Sequence, residues 1–436
     1  MPNLGSTTLR SPAESWRIAG DFSPPRGVAV DARIDPLLVC VSAYILTAVG
    51  RVHQLFPVLE GFRPATLTGL LAILFFLVDR SEQRRTKYLF VPTTKWLLAL
   101  VLWCLLSVSG ALLPGRSFEL VFDNFIKTFV MYLIIAGSVR GALDVERLTM
   151  AYFVGAAVYA GVVVTRFEVG SGGAWRLGRL YYYDANDFAT FAATAIPLGI
   201  YFVHAARTLT TRVFAAGALG VLTLAFVRSG SRGGFVALMA VAIFVVWRFS
   251  SIALRWRLAA AALVTVVVLA AASDQYWKQM STILSDADYN RTDESGRMQI
   301  WRRGIGYMFR DPVFGVGPGN FQAAEGLLSP FAERQQFGVG VRWNAAHNTY
   351  IQVGAELGVP GLVIFAGFII AAFRALRHAG RANGEADSTG FNGRPLTQAL
   401  TASLLGFVVG ACFLSLAFSE MLYTLAALAV AMDKAA

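Results

Sequence analysis

The stretch Val213-Phe-Ala-Ala-Gly-Ala-Leu-Gly-Val-Leu-Thr-Leu-Ala-Phe-Val227, Arg228-Ser-Gly-Ser-Arg232, Gly233-Gly-Phe-Val-Ala-Leu-Met-Ala-Val-Ala-Ile-Phe-Val-Val-Trp-Arg-Phe249 decides the architecture. Two apolar runs of near membrane-crossing length, which requires roughly 17–25 residues, are joined by a five-residue turn holding two arginines. Similar runs recur from end to end. The whole chain of 436 residues is 56% hydrophobic and only 15% charged, whereas an ordinary soluble domain is about 25% charged. This excludes an ordinary soluble enzyme, a disordered chain, collagen and a coiled coil. The fold class is an all-α polytopic membrane protein.

Working outward from that hairpin, apolar runs predict about twelve transmembrane helices, near 34–50, 64–79, 96–113, 121–138, 148–167, 186–205, 213–227, 233–249, 258–273, 359–376, 396–416 and 418–432. With a cytoplasmic N-terminus, sixteen Arg and Lys fall in the inner loops and eight in the short outer ones. The positive-inside bias therefore places both termini in the cytoplasm. The expected organisation is a cytoplasmic tail over 1–33, spans one to nine over 34–273, one large outer loop over 274–346, and a short outer helix with three further spans over 347–436. The tail lacks the short apolar core of a cleavable signal.

The formal charge is +11, but the basic residues are scattered through short loops rather than gathered into a stripe, so nucleic acid is not an expected partner. Membrane lipid is. Cys40, Cys104 and Cys412 lie inside apolar runs without disulfide or ligand spacing. No His-Glu-x-x-His, paired-carboxylate metal motif, nucleotide P-loop or Gly-x-Ser-x-Gly nucleophile appears. Neither metal nor cofactor is expected, and any chemistry falls to His and Arg.

Four segments carry candidates. Arg228 and Arg232 sit in the turn of the opening hairpin, where forked guanidinium donors suit phosphate oxygens; alternatively both snorkel to lipid headgroups. Their spacing predicts unequal roles, one contacting an anion and the other bracing the turn. Trp175-Arg-Leu-Gly-Arg-Leu-Tyr-Tyr-Tyr-Asp-Ala-Asn-Asp187 joins Arg176 and Arg179 to three aromatic rings, with Asn186 and Asp187 opening a helix; these groups suit a sugar-phosphate, or Asp184 or Asn186 simply caps the helix. In the long loop, Ser295 to Phe309 has helical spacing with an apolar stripe of Met298, Trp301, Ile305 and Met308, and Arg297 and Arg303 off the stripe as a solvated face or phosphate contacts. A glycine-rich turn series, Asp311 to Phe321, follows. Finally, His347 opens a short helix, with Asn348 or Thr349 as its cap and Tyr350 and Glu356 on later turns, broken by Gly358, Pro360 and Gly361. A neutral imidazole there accepts a hydroxyl proton at physiological pH, or merely caps the helix.

Together, Arg228-Ser-Gly-Ser-Arg-Gly-Gly234, the run from Arg297 through Trp301 to Pro312-Val-Phe-Gly-Val-Gly-Pro-Gly-Asn-Phe321, and His347-Asn-Thr-Tyr followed by Glu356-Leu-Gly-Val-Pro-Gly361 resemble the O-antigen ligase superfamily of bacterial envelope proteins, which also includes O-antigen and exopolysaccharide polymerases. Asp184-Ala-Asn-Asp187 is similar too, although the family often has Pro at the position of Ala185. The resemblance implies a lipid-dependent, integral-membrane glycosyltransferase of the bacterial inner membrane with a periplasmic loop. It implies transfer of a glycan from an undecaprenyl-diphosphate donor to an acceptor hydroxyl on lipid A-core, or to a second lipid-linked unit in a polymerase. By the same resemblance His347 is the base and the arginines hold the diphosphate. In-line attack opposite that leaving group predicts inversion at the anomeric carbon. A transporter of lipid-linked glycans is the reading of another class; it predicts charges along the middle of spans, whereas here Lys127 is the main one.

Overall fold

The computed structural model describes residues 35–436 apart from 171–176, 178–179, 181, 251, 273, 282–292, 337–342 and 383–392. Helices occupy each of the twelve positions expected from the apolar runs. They are α1 (Pro36–Tyr44, continued by a π-helical turn Ile45–Val49), α2 (Pro64–Val78), α3 (Pro92–Val108), α4 (Pro114–Ser138), α5 (Ala142–Arg166), α6 (Ala185–Ala205), α7 (Leu209–Ser229), α8 (Arg232–Arg248), α9 (Leu254–Ala271) and, beyond the long loop, α12 (Thr349–Ala382), α13 (Arg394–Phe413) and α14 (Glu420–Ala435). Between them lie α10 (Arg297–Arg310) and α11 (Phe321–Leu327). Six helices among the described residues, α4, α5, α6, α7, α12 and α13, are long and apolar enough to cross a membrane. The other six fall outside that criterion.

Local chemistry explains where the helices begin. Pro64, Pro92 and Pro114 stand at first helical positions, where a fixed φ helps and the missing N–H costs nothing. Asp184, Thr208, Ser231 and Asn348 turn side-chain oxygens onto the first free N–H groups of α6, α7, α8 and α12. Asp184 and Asn348 are therefore the caps for which the sequence offered two candidates each.

Helix α6 is the axis of the bundle. Phe188 to Phe202 are buried without a break, and small residues let α5, α7, α8 and α13 approach it closely. A Cβ at Gly234 would come within 2.5 Å of Ala189, and one at Gly410 within 2.6 Å of Thr190. By contrast α2 exposes Leu67, Leu70, Leu74 and Leu77, and α9 exposes Leu258, Leu263, Val266 and Leu269. Apolar surface of that extent facing outward belongs in hydrocarbon. The protein is a membrane protein.

The long connection folds onto one end of the bundle. Its helix α10 lies against α12, only in part by the stripe expected from sequence: Trp301 bonds Ala346 and Met308 packs at Gly354, but Met298 and Ile305 are exposed, and the buried residues are Ile300, Gly304 and Tyr307. Gly304 sets the phase, because a Cβ there would meet Ile351 at 2.6 Å and Phe321 at 2.8 Å.

Candidate functional site

A cavity of about 700 Å³ opens at this end of the bundle. Its walls come from segments far apart in sequence: Arg51 after α1, Arg116 and Asn124 on α4, Tyr182, Tyr183 and Asp187 before and in α6, Gly319 to Gln322 in the glycine-rich turn, Ala345 and Ala346, Gln352 and Glu356 on α12, and Ser415 to Glu420 between α13 and α14. Every one lies at the end of the bundle that carries the long connection.

His347 is pinned at the edge of this cavity. Its own N–H donates to Ser415 Oγ at 2.9 Å. Before it, Ala346 C=O accepts from the Trp301 indole N–H at 3.0 Å. After it, Asn348 Oδ1 takes the N–H groups of Tyr350 and Ile351, and Thr349 Oγ1 donates to Leu414 C=O at 2.7 Å while accepting from Leu416 N–H. Tyr350 adds a bond from its hydroxyl to Val408 C=O. These contacts hold His347 at φ 47°, in the left-handed region, where non-glycine residues are uncommon and histidine is among those enriched. Such strain persists only where surroundings over-determine it.

Glu356 is buried and locks the glycine-rich turn to α12. Its carboxylate accepts from Gly319 N–H at 3.0 Å and Phe321 N–H at 3.1 Å, with Gln352 at 3.4 Å. The turn also gives Val316 and Gly317 N–H groups to Ala355 and Glu356 carbonyls, and Val359 N–H returns to Pro312 C=O. Gly315, Gly317 and Gly319 all have positive φ, which explains the run of glycines. Gly358, at φ 69°, breaks α12 where Cβ would strike Val313 C=O at 2.3 Å. This is the break expected from Gly358 and Pro360.

The arginines divide sharply. Arg228 donates to the C=O of Val164 at 2.6 Å and of Phe167 at 2.8 Å, clasping the C-terminus of α5, where a cation also complements the helix dipole. Arg232 begins α8, and its neighbour Gly233 packs on Phe413, two residues from Ser415. In the long connection Arg303 is committed to Glu325: Nη2 lies 2.6 Å and Nε 2.9 Å from the carboxylate, and Tyr307 OH donates to the same group at 2.8 Å. The hydrogen bond with Glu325 raises Arg303 above its ordinary basicity, and burial with this acid pushes the Tyr307 phenol up as well. Arg297 opens α10. Asn186 and Asp187 open α6, and Asp187 faces the cavity. Arg176 and Arg179 lie outside the described residues.

Sequence reading counted Arg51 and Arg116 only as loop charges and passed over Glu420 and Ser415. Arg51 bridges to Glu420 at 2.8 Å and lies over the Tyr182 ring at 3.7 Å, while Tyr183 OH donates to Val49 C=O next to it. Arg116 donates to Gln322 Oε1 at 2.9 Å. No local motif marks these residues, since each partner lies far away in sequence, from 68 positions for Ser415 and His347 to 369 for Arg51 and Glu420. Among the described residues no group of His, Cys, Asp and Glu is placed to hold a metal ion.

Residues 189–366, which run from α6 through the glycine-rich turn and His347 into α12, match the O-antigen ligase family. Over that segment, less than half of the chain, the protein is similar to the O-antigen ligase family. No curated protein matches it. The O-antigen ligase match takes in Arg228, Arg232, Arg297, Arg303, Trp301, His347 and Glu356, and leaves out Arg51, Arg116 and Glu420, so part of the cavity wall lies beyond the matched segment. The match supports, in general terms, a membrane glycosyltransferase-like enzyme.

Proposed function

We propose that this protein is an O-antigen ligase of the bacterial inner membrane, with both termini cytoplasmic and the cavity facing the periplasm. It transfers a glycan from undecaprenyl diphosphate to a hydroxyl of lipid A-core, with inversion and without a metal. The observation that carries the reading is the pinning of His347, at a left-handed backbone, on the edge of the polar cavity.

The donor's anomeric carbon already bears a good leaving group, so the protein's tasks are to orient the acceptor hydroxyl, remove its proton and steady the departing diphosphate. His347 takes the proton. Trp301, Asn348 and Ser415 fix the backbone on either side of it, and Tyr350 and Glu356 fix the helix and turn behind it. Arg232 meets the diphosphate. Arg228 braces the turn through its two carbonyl bonds while its charge, which those neutral partners do not cancel, adds to the field there. Arg297, Arg176 and Arg179 are further candidates for donor contacts. Arg303 supports α10 through Glu325, and Asn186 and Asp187 open the helix beside the cavity.

The test is His347→Asn in a reconstituted transfer assay with lipid-linked oligosaccharide and lipid A-core. Asparagine tolerates the left-handed backbone but cannot act as a base near neutral pH. The expected result is a folded protein that still binds donor and has lost about 10²–10⁴ in rate. Wild-type rates from the Asn variant would remove His347 from the chemistry. Transfer onto a second lipid-linked unit instead of lipid A-core would make the protein a polymerase.

A further inference from the structure

The irregular backbone of this bundle gathers at one place. Both π-helical turns among the described residues flank the cavity: Ile45–Val49 leads into Arg51, and Leu120–Phe125 lies within α4. Two of the three described non-glycine residues with positive φ, Arg51 and His347, stand beside it. Such irregularities interrupt a helix at a cost and recur at functional sites. Here the π turn in α4 places Leu120, Asn124 and Thr128 together on the cavity wall.

The polar groups on that wall carry no excess of cations: Arg51 and Arg116 stand with Asp187, Glu356 and Glu420. Arg51 is paired with Glu420, the carboxylate of Glu356 is engaged by backbone N–H groups, and Arg116 and Asp187 supply one charge of each sign. Beside them stand the amides of Asn124, Gln322 and Gln352. Donors and acceptors side by side, without an excess of cations, match vicinal hydroxyls, which both give and take hydrogen bonds; a phosphate would need that excess.

We infer that this cavity is the seat of the acceptor sugar, and that Asn124 and the Arg116–Gln322 pair read the hydroxyls of an uncharged residue there. This rests on the proposed transferase reading and adds the acceptor's chemistry to it.

The experiment measures equilibrium binding, independent of turnover, of a short uncharged oligosaccharide and of its monophosphorylated counterpart to the full chain in nanodiscs. Asn124 and Arg116 are exposed to the cavity, so Asn124→Ala and Gln322→Ala test recognition without disturbing the core. Wild-type protein is expected to bind the uncharged sugar better than the phosphorylated one, and each variant to bind it about five- to tenfold more weakly, as loss of one hydrogen bond predicts. Failure of the wild type to bind the uncharged sugar, equal or tighter binding of the phosphorylated one, or unchanged binding by both alanine variants overturns the inference. The transferase reading stands or falls separately, on whether lipid-linked glycan is transferred.

Discussion

The turn at 228–232 and the helix at 297–310 read alike in sequence, each a short segment dense in arginine, yet the bundle uses their charge in opposite ways. Arg228 binds two neutral carbonyls. Its donors are occupied but its charge survives. Arg303 binds a carboxylate that is 2% exposed, so donors and charge are both consumed inside the protein. An arginine's hydrogen bonds and its field are separate resources, and only the first kind of partner leaves the field available to a lipid diphosphate.

The largest effect that would break this contrast is expected at the buried pair. Glu325→Gln leaves the Arg303 charge without its partner, which costs about 3–5 kcal/mol, so thermal unfolding monitored in nanodiscs should show a large fall in Tm. Replacing both partners, Arg303→Met with Glu325→Met, should recover most of that stability and keep transfer within about twofold. A stable double variant without activity would show that Arg303 has a part in the chemistry.

Next comes the turn. Arg232→Lys keeps charge but loses the fork, and donor turnover should fall by about tenfold or more while Tm holds. Arg228→Lys should do the reverse, losing about 1 kcal/mol of stability with one carbonyl bond and retaining most of its turnover. Equal loss of turnover in both would erase the distinction between brace and contact.

Salt sharpens the same point with a smaller effect. The Debye length falls from about 10 Å at 0.1 M to about 3 Å at 1 M, so wild-type donor KM should rise with ionic strength. Arg228→Gln should flatten that dependence; the Arg303→Met, Glu325→Met double variant should not. The smallest change is expected from Trp301→Phe, which removes the bond to Ala346. It should lower kcat about two- to fivefold, with donor KM unchanged, because one hydrogen bond is worth about 1 kcal/mol and the bonds of Ser415, Asn348, Thr349 and Tyr350 still hold the backbone around His347.

Much of this molecule was legible one segment at a time. Apolar runs located every long helix, because burial in hydrocarbon is a property of each run by itself. Gly358 marked the break in α12 and the repeated glycines marked a turn, because backbone conformation is local too. The resemblance carried by Arg228 to Gly234, Arg297 through Trp301 to Phe321, and His347 to Gly361 agrees with the family match over residues 189–366. Tertiary structure decided what no window contains. It chose the face that α10 buries, since Gly304 must meet Ile351 and Phe321. It gave Arg228 to α5 and Arg303 to Glu325. It assembled a cavity from Arg51, Arg116, Asp187, Glu356 and Glu420, residues whose charges meet only because helices distant in sequence end side by side. Hydrophobic length is additive along a chain, whereas a hydrogen bond or ion pair depends on the few ångströms between two groups, and packing alone sets that distance.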